Sequence, residues 1–321
     1  PMRIGVFTAL FQQFAFEEAL DKAVAAGVTA VEIGVGGYPG SQHCRVADLL
    51  ADEGERVAFR RAIEGRGLLL SALSVHNNPL HPDPDVAQTA DAELRAAVRL
   101  AEALGVPVVN GFSGLPAGAP GDKSPNWVTC PWPPDFLRML DYQWNDVAIP
   151  YWRELEKFAA GHNVKIAFEM HPGMLVYNVE TLLRLRAATG PALGCNFDPS
   201  HLWWNGVEPA AAIRALGPAI FHVHGKDCFV DAHNVRVNGC NDHKSYDRIL
   251  ERAWTFRSIG YGHDAAEWRE LVSTLRLVGY DYVISIEHED ALLSTDEGLA
   301  KGIALLHEVT MFDAPGEMFW A

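Results

Sequence analysis

The feature that most constrains this chain is an eightfold alternation of short β-rich runs with longer amphipathic stretches. The β-rich runs are residues 3–7, 30–33, 68–74, 108–112, 165–169, 193–197, 220–224 and 283–288. Helical patterns follow at residues 16–26, 46–66, 85–104, 142–162, 180–188, 208–216, 265–278 and 296–309. Strict alternation of strands and helices predicts a parallel β-sheet with helices packed on it.

Two parallel architectures satisfy this pattern: an open doubly wound sheet and a closed barrel. Open sheets usually carry a glycine-rich phosphate loop after the first strand, and residues 7–14 contain no glycine. We therefore predict an α/β fold of the (β/α)8 TIM barrel type, with residues 1–321 forming one catalytic domain.

Composition limits the classes of function. The chain has 321 residues, of which 49% are hydrophobic, and we expect neither a membrane span nor a secretory signal. Because 41 acidic residues outweigh 26 basic ones, the net charge of −15 opposes binding to nucleic acid or anionic lipid. Five cysteines without a CxxC pair indicate a reducing compartment. We expect a cytoplasmic protein with a small-molecule substrate.

Two segments exceed what a plain barrel needs, residues 113–141 and residues 225–263. The first is rich in tryptophan and proline, and the second mixes polar and aromatic residues. In a barrel of this type the loops after the strands build the active-site face. We expect lids or partner surfaces, with ordinary surface packing as the alternative.

Acidic or imidazole side chains lie at the ends of the last four predicted strands: Glu169, Asp198, His224 and Glu287. On neighbouring strands of one barrel these side chains would converge on the mouth. Three clustered carboxylates repel one another unless a divalent cation binds between them. The oxygen-rich set suits Mn²⁺, with Mg²⁺ or Co²⁺ as alternatives, better than a sulfur-type zinc site.

A general base is the next requirement of such a site. His171 lies two residues beyond Glu169, and alternation along a strand places both side chains on one side. The pKa of a histidine suits proton transfer near neutrality. The alternative is a loop histidine without a catalytic role.

Further polar and aromatic residues follow the predicted strands and are candidates for substrate binding. They are His76, Asn77, Asn110, His201, His222, Lys226 and Trp203. We also expect His222 to orient a metal ligand through a hydrogen bond. Core packing, or a solvated position for Lys226, is the alternative interpretation.

The motifs Phe168-Glu169, Asp198-Pro199-Ser200-His201, His222-Val223-His224 and Glu287 are matched, in order and spacing, by a known family. The chain resembles the xylose-isomerase-like TIM barrels, or sugar phosphate isomerases/epimerases, which include ketose 3-epimerases, inosose dehydratases and type IV apurinic endonucleases. The resemblance implies that Glu169, Asp198, His224 and Glu287 bind the metal and that His201 lies beside it. It also implies that Glu169 and Glu287 are candidate bases.

A narrower branch is matched by the runs at residues 76–82, 224–227, 256–263 and 286–290. These runs resemble the catalytic subunits of bacterial C-glycoside deglycosidases, which act on 3-keto-glycosides and pair with a small β-subunit. The resemblance implies proton removal beside the sugar carbonyl, an enediolate stabilised by the metal, and elimination of a carbon- or oxygen-linked aglycone. A ketose 3-epimerase, an isomerase and an inosose-type dehydratase remain alternatives. The expected contact with a β-subunit lies in residues 225–263.

Three other classes fit less well. Apurinic endonucleases of this family have a histidine where the fourth predicted strand ends in Val109-Asn110-Gly111. A non-enzymatic sugar-binding barrel would be favoured by broken metal ligands, and all four are present. A xylose isomerase proper needs further carboxylates for a second metal, which we cannot assign.

Overall fold

The computed structural model describes residues 1–320, and within this range eight parallel strands close into a barrel in the order β1-β10-β7-β6-β5-β4-β3-β2. The strands are β1 (Arg3–Phe7), β2 (Ala30–Gly37), β3 (Leu69–His76), β4 (Val108–Gly111), β5 (Lys165–Glu169), β6 (Leu193–Phe197), β7 (Ile220–Gly225), β8 (Asp227–Val230), β9 (Trp254–Arg257) and β10 (Val283–Ile286). Strands β8 and β9 form a separate antiparallel pair. The predicted (β/α)8 TIM barrel is confirmed.

Helices surround the barrel and connect its strands. They are α1 (Phe16–Ala26), α2 (Val46–Ala51), α3 (Glu53–Glu64), α4 (Pro84–Leu104), α5 (Asp135–Asp141), α6 (Ile149–Gly161), α7 (Val179–Thr189), α8 (Ser200–Trp203), α9 (Pro209–Leu216), α10 (Ala232–Asn238), α11 (Ala265–Leu277) and α12 (Thr295–Val309). A π-helical turn, Tyr142–Ala148, precedes α6, and short 3-10 turns occur at Thr8–Phe11, Gly217–Ala219 and Ile249–Glu251.

Local sequence sets several of the helix ends. Asp83 caps the start of α4 by accepting a hydrogen bond from the backbone N–H of Asp85, and Pro84 occupies the first helical position. Gly105 ends the same helix in the left-handed region, with φ of 70°. Asp52 caps α3, so the single helix predicted for residues 46–66 is in fact two helices that meet at this residue.

The apolar core fills the space between the barrel and the helices, where Trp144, Trp152 and Trp268 are among the largest fully buried side chains. Trp152 packs edge-on against Phe168 of β5, with ring centres 4.5 Å apart. The barrel interior below the mouth contains polar side chains instead. Ser71 of β3 lies 3.2 Å from the His222 ring of β7, which shows that these side chains meet inside the barrel.

The long segment at residues 225–263 folds into the β8–β9 hairpin and helix α10. We call it the hairpin excursion. Together with Trp204, which follows α8, it forms a small separate apolar core, in which Trp204 stacks on Trp254 with ring centres 4.6 Å apart. The other long segment, residues 113–141, ends in helix α5. The last barrel strand ends at Ile286 rather than at residue 288, so Glu287 follows the strand.

Across residues 1–320, no helix combines the length and the apolar character needed to cross a lipid bilayer.

Candidate metal centre

Four side chains meet at the carboxyl end of the barrel strands: Glu169, Asp198, His224 and Glu287. One potential ligand atom from each lies within 4.8 Å of the others. Glu169 ends β5, Asp198 follows β6, His224 lies in β7 and Glu287 follows β10. The convergence predicted from the strand ends is therefore present. We call these four residues the donor cluster.

Two buried atoms of the donor cluster support a metal-binding role. Asp198 Oδ1 accepts a hydrogen bond from the backbone N–H of Ser200, whereas Oδ2 has no hydrogen-bond partner among residues 1–320. His224 Nδ1 is equally without a hydrogen bond in this range and lies 3.3 Å from oxygens of both Glu169 and Glu287. Three carboxylates and one imidazole form an oxygen-rich set that fits a divalent cation.

Glu32 of β2 is the functional residue that the sequence analysis missed. It is fully buried, and His224 Nε2 lies 3.0 and 3.1 Å from its two oxygens, donating a hydrogen bond to the carboxylate. This contact fixes the ring so that Nδ1 faces the donor cluster. Burial alone would raise the pKa of Glu32, but the adjacent His224 and His222 outweigh burial and hold it well below its usual range.

A sequence signal for Glu32 does exist. It is the one charged residue in the otherwise apolar run of β2, AVEIGVGG. Both faces of a strand are covered in such a barrel, so a charged residue within the run needs a buried partner.

Asn110 and His222, predicted to contact substrate, lie beneath the donor cluster and are absent from the cavity lining. Asn110 Nδ2 donates to Glu32 Oε1 at 3.0 Å, and it also lies 3.1 Å from His222 Nδ1. His222 further contacts Ser71 and Asn196. Both side chains therefore support Glu32 and its surroundings. The His222 ring packs edge-on against the His224 ring, with centres 5.9 Å apart, whereas the hydrogen bond that orients His224 goes to Glu32.

Two histidines hold Glu169. His76 Nε2 donates to one carboxylate oxygen at 3.0 Å, and His201 Nε2 donates to the other at 2.8 Å. Burial would raise the pKa of Glu169, but the neighbouring His201, His224 and His76 outweigh burial and keep it well below its ordinary value. The carboxylate is thus ionised and fixed. His76 also lines the cavity, whereas His201 lies behind it.

Lys226 is buried at the edge of the donor cluster rather than solvated. Its Nζ lies 2.8 Å from Glu287, 3.1 Å from Glu289 and 3.4 Å from Asp198. Burial would raise the pKa of Glu287, but Lys226 and His224 lower it to about 2. The ammonium group lines the cavity, where it can meet a substrate oxygen.

Asp227 holds the loop after β9 in place through hydrogen bonds. Its carboxylate accepts hydrogen bonds from the backbone N–H groups of Gly260, Gly262 and His263 and from the Trp268 indole. Gly262 passes so close that an added Cβ would lie 2.0 Å from the Cys228 carbonyl oxygen. The glycine-rich run at residues 256–263 is therefore explained by packing around Asp227.

His171 lies on the cavity floor beside the donor cluster. Its Nδ1 donates to the carbonyl oxygen of Pro172 at 2.7 Å, which leaves the lone pair on Nε2. The ring packs between Phe112 and His201, with centres 4.8 and 4.2 Å away. Burial, reinforced by His201, lowers the pKa of His171 to about 3, so the imidazole is neutral at pH 7.

Asn77 and Trp203, which were predicted to contact substrate, are absent from the cavity lining. Asn77 Nδ2 donates to the Ala90 carbonyl and to Glu93, both on α4. Trp203 stacks on His263 with ring centres 3.9 Å apart and packs edge-on against Trp268. Their side chains hold loops and helices in place.

The donor cluster opens into a cavity of about 720 Å³. Its floor carries Glu169, His171, Lys226 and Glu287. Its walls are rich in aromatic side chains, namely Phe7, Tyr38, Phe112, Tyr246 and Phe256. The last two come from the hairpin excursion.

The fold and this arrangement at the strand ends correspond to a known class. The sequence profile of the xylose isomerase-like TIM barrel family matches residues 20–309. The chain belongs to this family.

Three similar proteins illustrate the relationship. The uncharacterized protein YfiH of Bacillus subtilis (strain 168) is 40% identical over 310 residues, covering 96% of this chain and 99% of its own. A solved D-tagatose 3-epimerase-like protein superposes with a TM-score of 0.63 at 21% identity, covering 96% of this chain and 97% of its own. A xylose isomerase-like TIM barrel protein from Mycobacterium smegmatis in complex with magnesium superposes with a TM-score of 0.64 at 16% identity, covering 96% of both chains. The two solved structures share the fold.

Proposed function

We propose that this chain is a divalent-metal-dependent enzyme that removes a proton beside the carbonyl of a keto-sugar and then eliminates the aglycone of a 3-keto-glycoside. The observation that carries the proposal is His171, whose free Nε2 lies on the cavity floor next to the donor cluster. The magnesium-bound relative supports a divalent ion, and we propose Mn²⁺ for this oxygen-rich set.

The cavity favours a glycoside over a free monosaccharide. Its volume of about 720 Å³ lies within the range of roughly 300–1,000 Å³ typical of sites for drug-sized ligands. The floor is charged and the walls are aromatic, which suits a substrate with a polar sugar and an apolar substituent. We place the sugar on the floor and the aglycone against the walls.

A divalent cation bound by the donor cluster would supply positive charge to the carbonyl and the neighbouring hydroxyl of the sugar, and so stabilise an enediolate. The chain provides the proton transfer. Both oxygens of Glu169 already accept hydrogen bonds from histidines, and Glu287 pairs with Lys226. His171 offers a free lone pair, which makes it the preferred base.

In the proposed elimination, His171 Nε2 takes the proton from C2 of the 3-keto-glycoside. The electron pair of that C–H bond passes through the enediolate and forms the C1=C2 double bond as the bond from C1 to the aglycone breaks. The protonated His171 then returns the proton to the departing aglycone. The aglycone leaves protonated, and the other product is an unsaturated keto-sugar, so atoms and charge balance without an external oxidant.

Epimerisation of a ketose is the second candidate. It begins with the same proton removal and ends with the return of a proton to the opposite face of the sugar. Two of the three carboxylates in the donor cluster, Glu169 and Glu287, are candidate bases, which favours this candidate. The fold similarity to a D-tagatose 3-epimerase-like protein is consistent with it.

The discriminating experiment is proton NMR in D₂O with the Mn²⁺-loaded chain. One tube contains a 3-keto-C-glucoside of a phenolic aglycone, and the other contains a free ketohexose. We expect release of the free aglycone in the first tube. Deuterium beside the ketohexose carbonyl, together with a new epimer, would instead establish the second candidate. No reaction in either tube would contradict a self-sufficient catalyst and direct attention to the β-subunit expected at residues 225–263.

A further inference from the structure

The hairpin excursion contributes a row of aromatic rings to the cavity wall. Phe256 of β9 packs edge-on against the His201 ring, with centres 5.4 Å apart. Tyr246 stacks on Phe256 with centres 5.6 Å apart and an interplanar angle of 27°. Because His201 donates to Glu169, the row leads from the donor cluster outward along the cavity.

Tyr246 is held in place from behind. The guanidinium of Arg252 lies 4.4 Å from the centre of the Tyr246 ring and 4.7 Å from that of Trp254. Arg252 is itself only 2% exposed, and its Nε donates to the Trp254 carbonyl at 3.0 Å. A buried cation beneath an aromatic ring restricts the movement of that ring.

The position of the Tyr246 ring is not explained by a role in covering the small apolar core of the excursion. A residue that only covered this core would bury most of its ring, yet Tyr246 remains 55% exposed and lines the cavity together with Phe256. Fixed, exposed aromatic surface beside polar catalytic groups is typical of a binding subsite.

We propose that Tyr246 and Phe256 form a subsite for the planar aromatic aglycone of the glycoside, an inference that rests on the proposed function. The charged groups on the floor engage the sugar, so the substituent at C1 extends away from them. The rings of Tyr246 and Phe256 offer it apolar contact. The excursion thereby determines specificity for the leaving group.

The test uses glucosides that have no keto group and therefore bind without reacting. Phenyl β-D-glucopyranoside and methyl β-D-glucopyranoside are titrated by NMR into the Mn²⁺-loaded chain. We expect the phenyl glucoside to bind about 3- to 10-fold more tightly than the methyl glucoside, as an aromatic contact provides. Tyr246→Ala should remove this preference, whereas Tyr246→Phe should retain it.

The matched control is Phe229→Ala, because Phe229 lies on the same hairpin, is 43% exposed and is absent from the cavity lining. This variant should keep the full preference. Equal affinity for both glucosides in the unmodified chain, or a preference that survives in Tyr246→Ala, would overturn the aromatic subsite. Tighter binding of methyl β-cellobioside than of the phenyl glucoside would overturn it in favour of a second sugar.

The outcome is separable from that of the proposed reaction. Neither glucoside is turned over, so the binding preference tests the subsite alone. Failure to release the aglycone from a 3-keto-glycoside would overturn the proposed reaction while the titration still decides whether aromatic rings bind at Tyr246.

Discussion

The two halves of the barrel mouth differ in what they contribute. Strands β5, β6, β7 and β10 carry the donor cluster, whereas β2, β3 and β4 carry Glu32, His76 and Asn110. Side chains of the second half reach across and hold members of the first, as Glu32 does with His224 and His76 does with Glu169. One half thus carries the proposed metal ligands, and the other half supplies contacts that orient two of them, which makes barrel closure a condition for the site.

The largest expected effect follows from removal of a donor. Asp198→Ala should weaken Mn²⁺ binding by more than about 100-fold, beyond the range typical of outer contacts, because it deletes an oxygen of the set. Isothermal titration with Mn²⁺ measures this effect. Asp48→Ala, a substitution of an exposed carboxylate on α2, is the matched control. Unchanged affinity in Asp198→Ala would contradict the proposed ligand set.

His171 tests whether the donor half also carries the chemistry. We expect His171→Ala to lower turnover of the 3-keto-glycoside by about 10²- to 10⁴-fold, the usual contribution of a general base. Mn²⁺ affinity should stay unchanged, since His171 is outside the donor cluster. Aglycone release followed by chromatography gives the rate, with the exposed His307→Ala on α12 as the control. Normal turnover would remove His171 from the mechanism.

The substitution Glu32→Gln tests the contribution of strands β2, β3 and β4, whose side chains orient the donor cluster. We expect Mn²⁺ affinity to fall by about 10- to 100-fold, because the amide no longer provides a charged acceptor for His224. Titration calorimetry is again the measurement, with Glu64→Gln on the exposed face of α3 for reference. An effect as large as that of Asp198→Ala would mean that Glu32 is itself a ligand.

The smallest effect is expected for Asn110, which contacts Glu32 rather than the donor cluster. Asn110→Ala removes one hydrogen bond to Glu32, and Ser74 and His224 still contact the carboxylate. The free energy of unfolding should drop by about 1–3 kcal/mol, the cost of a lost buried hydrogen bond. Denaturant titration measures it, with the exposed Asn145→Ala as the reference. An unchanged free energy of unfolding would show that the hydrogen bond from Asn110 to Glu32 does not stabilise the fold.

The same division explains how much could be predicted from the sequence. Eight strands and the donor cluster were predictable, because periodicity is local and the donors lie at strand ends. Glu32 was not found, since its partner His224 is 192 residues away and only the closed barrel joins them. The absence of Asn77, Asn110 and His222 from the cavity lining was not predictable either, because the end of a strand does not reveal which face its side chain occupies.

The hairpin excursion shows another limit. Aromatic residues in a long loop predict that the loop covers another surface, but the sequence does not identify that surface. The structure places Tyr246 and Phe256 on the cavity wall, and the contact with a partner subunit at residues 225–263 stays a prediction.

The most direct test of the account counts the nitrogen atoms bound to Mn²⁺. Two other groups in residues 1–320 could compete for the ion, Glu169 with His171 and His201, and Glu32 with His222 and His224. Each of these contains two histidines, whereas the donor cluster contains one. Pulsed electron paramagnetic resonance of the Mn²⁺-loaded chain, labelled with ¹⁵N-histidine, distinguishes them. We predict one directly bound nitrogen that disappears in His224→Ala, and two bound nitrogens, or none, would contradict the account.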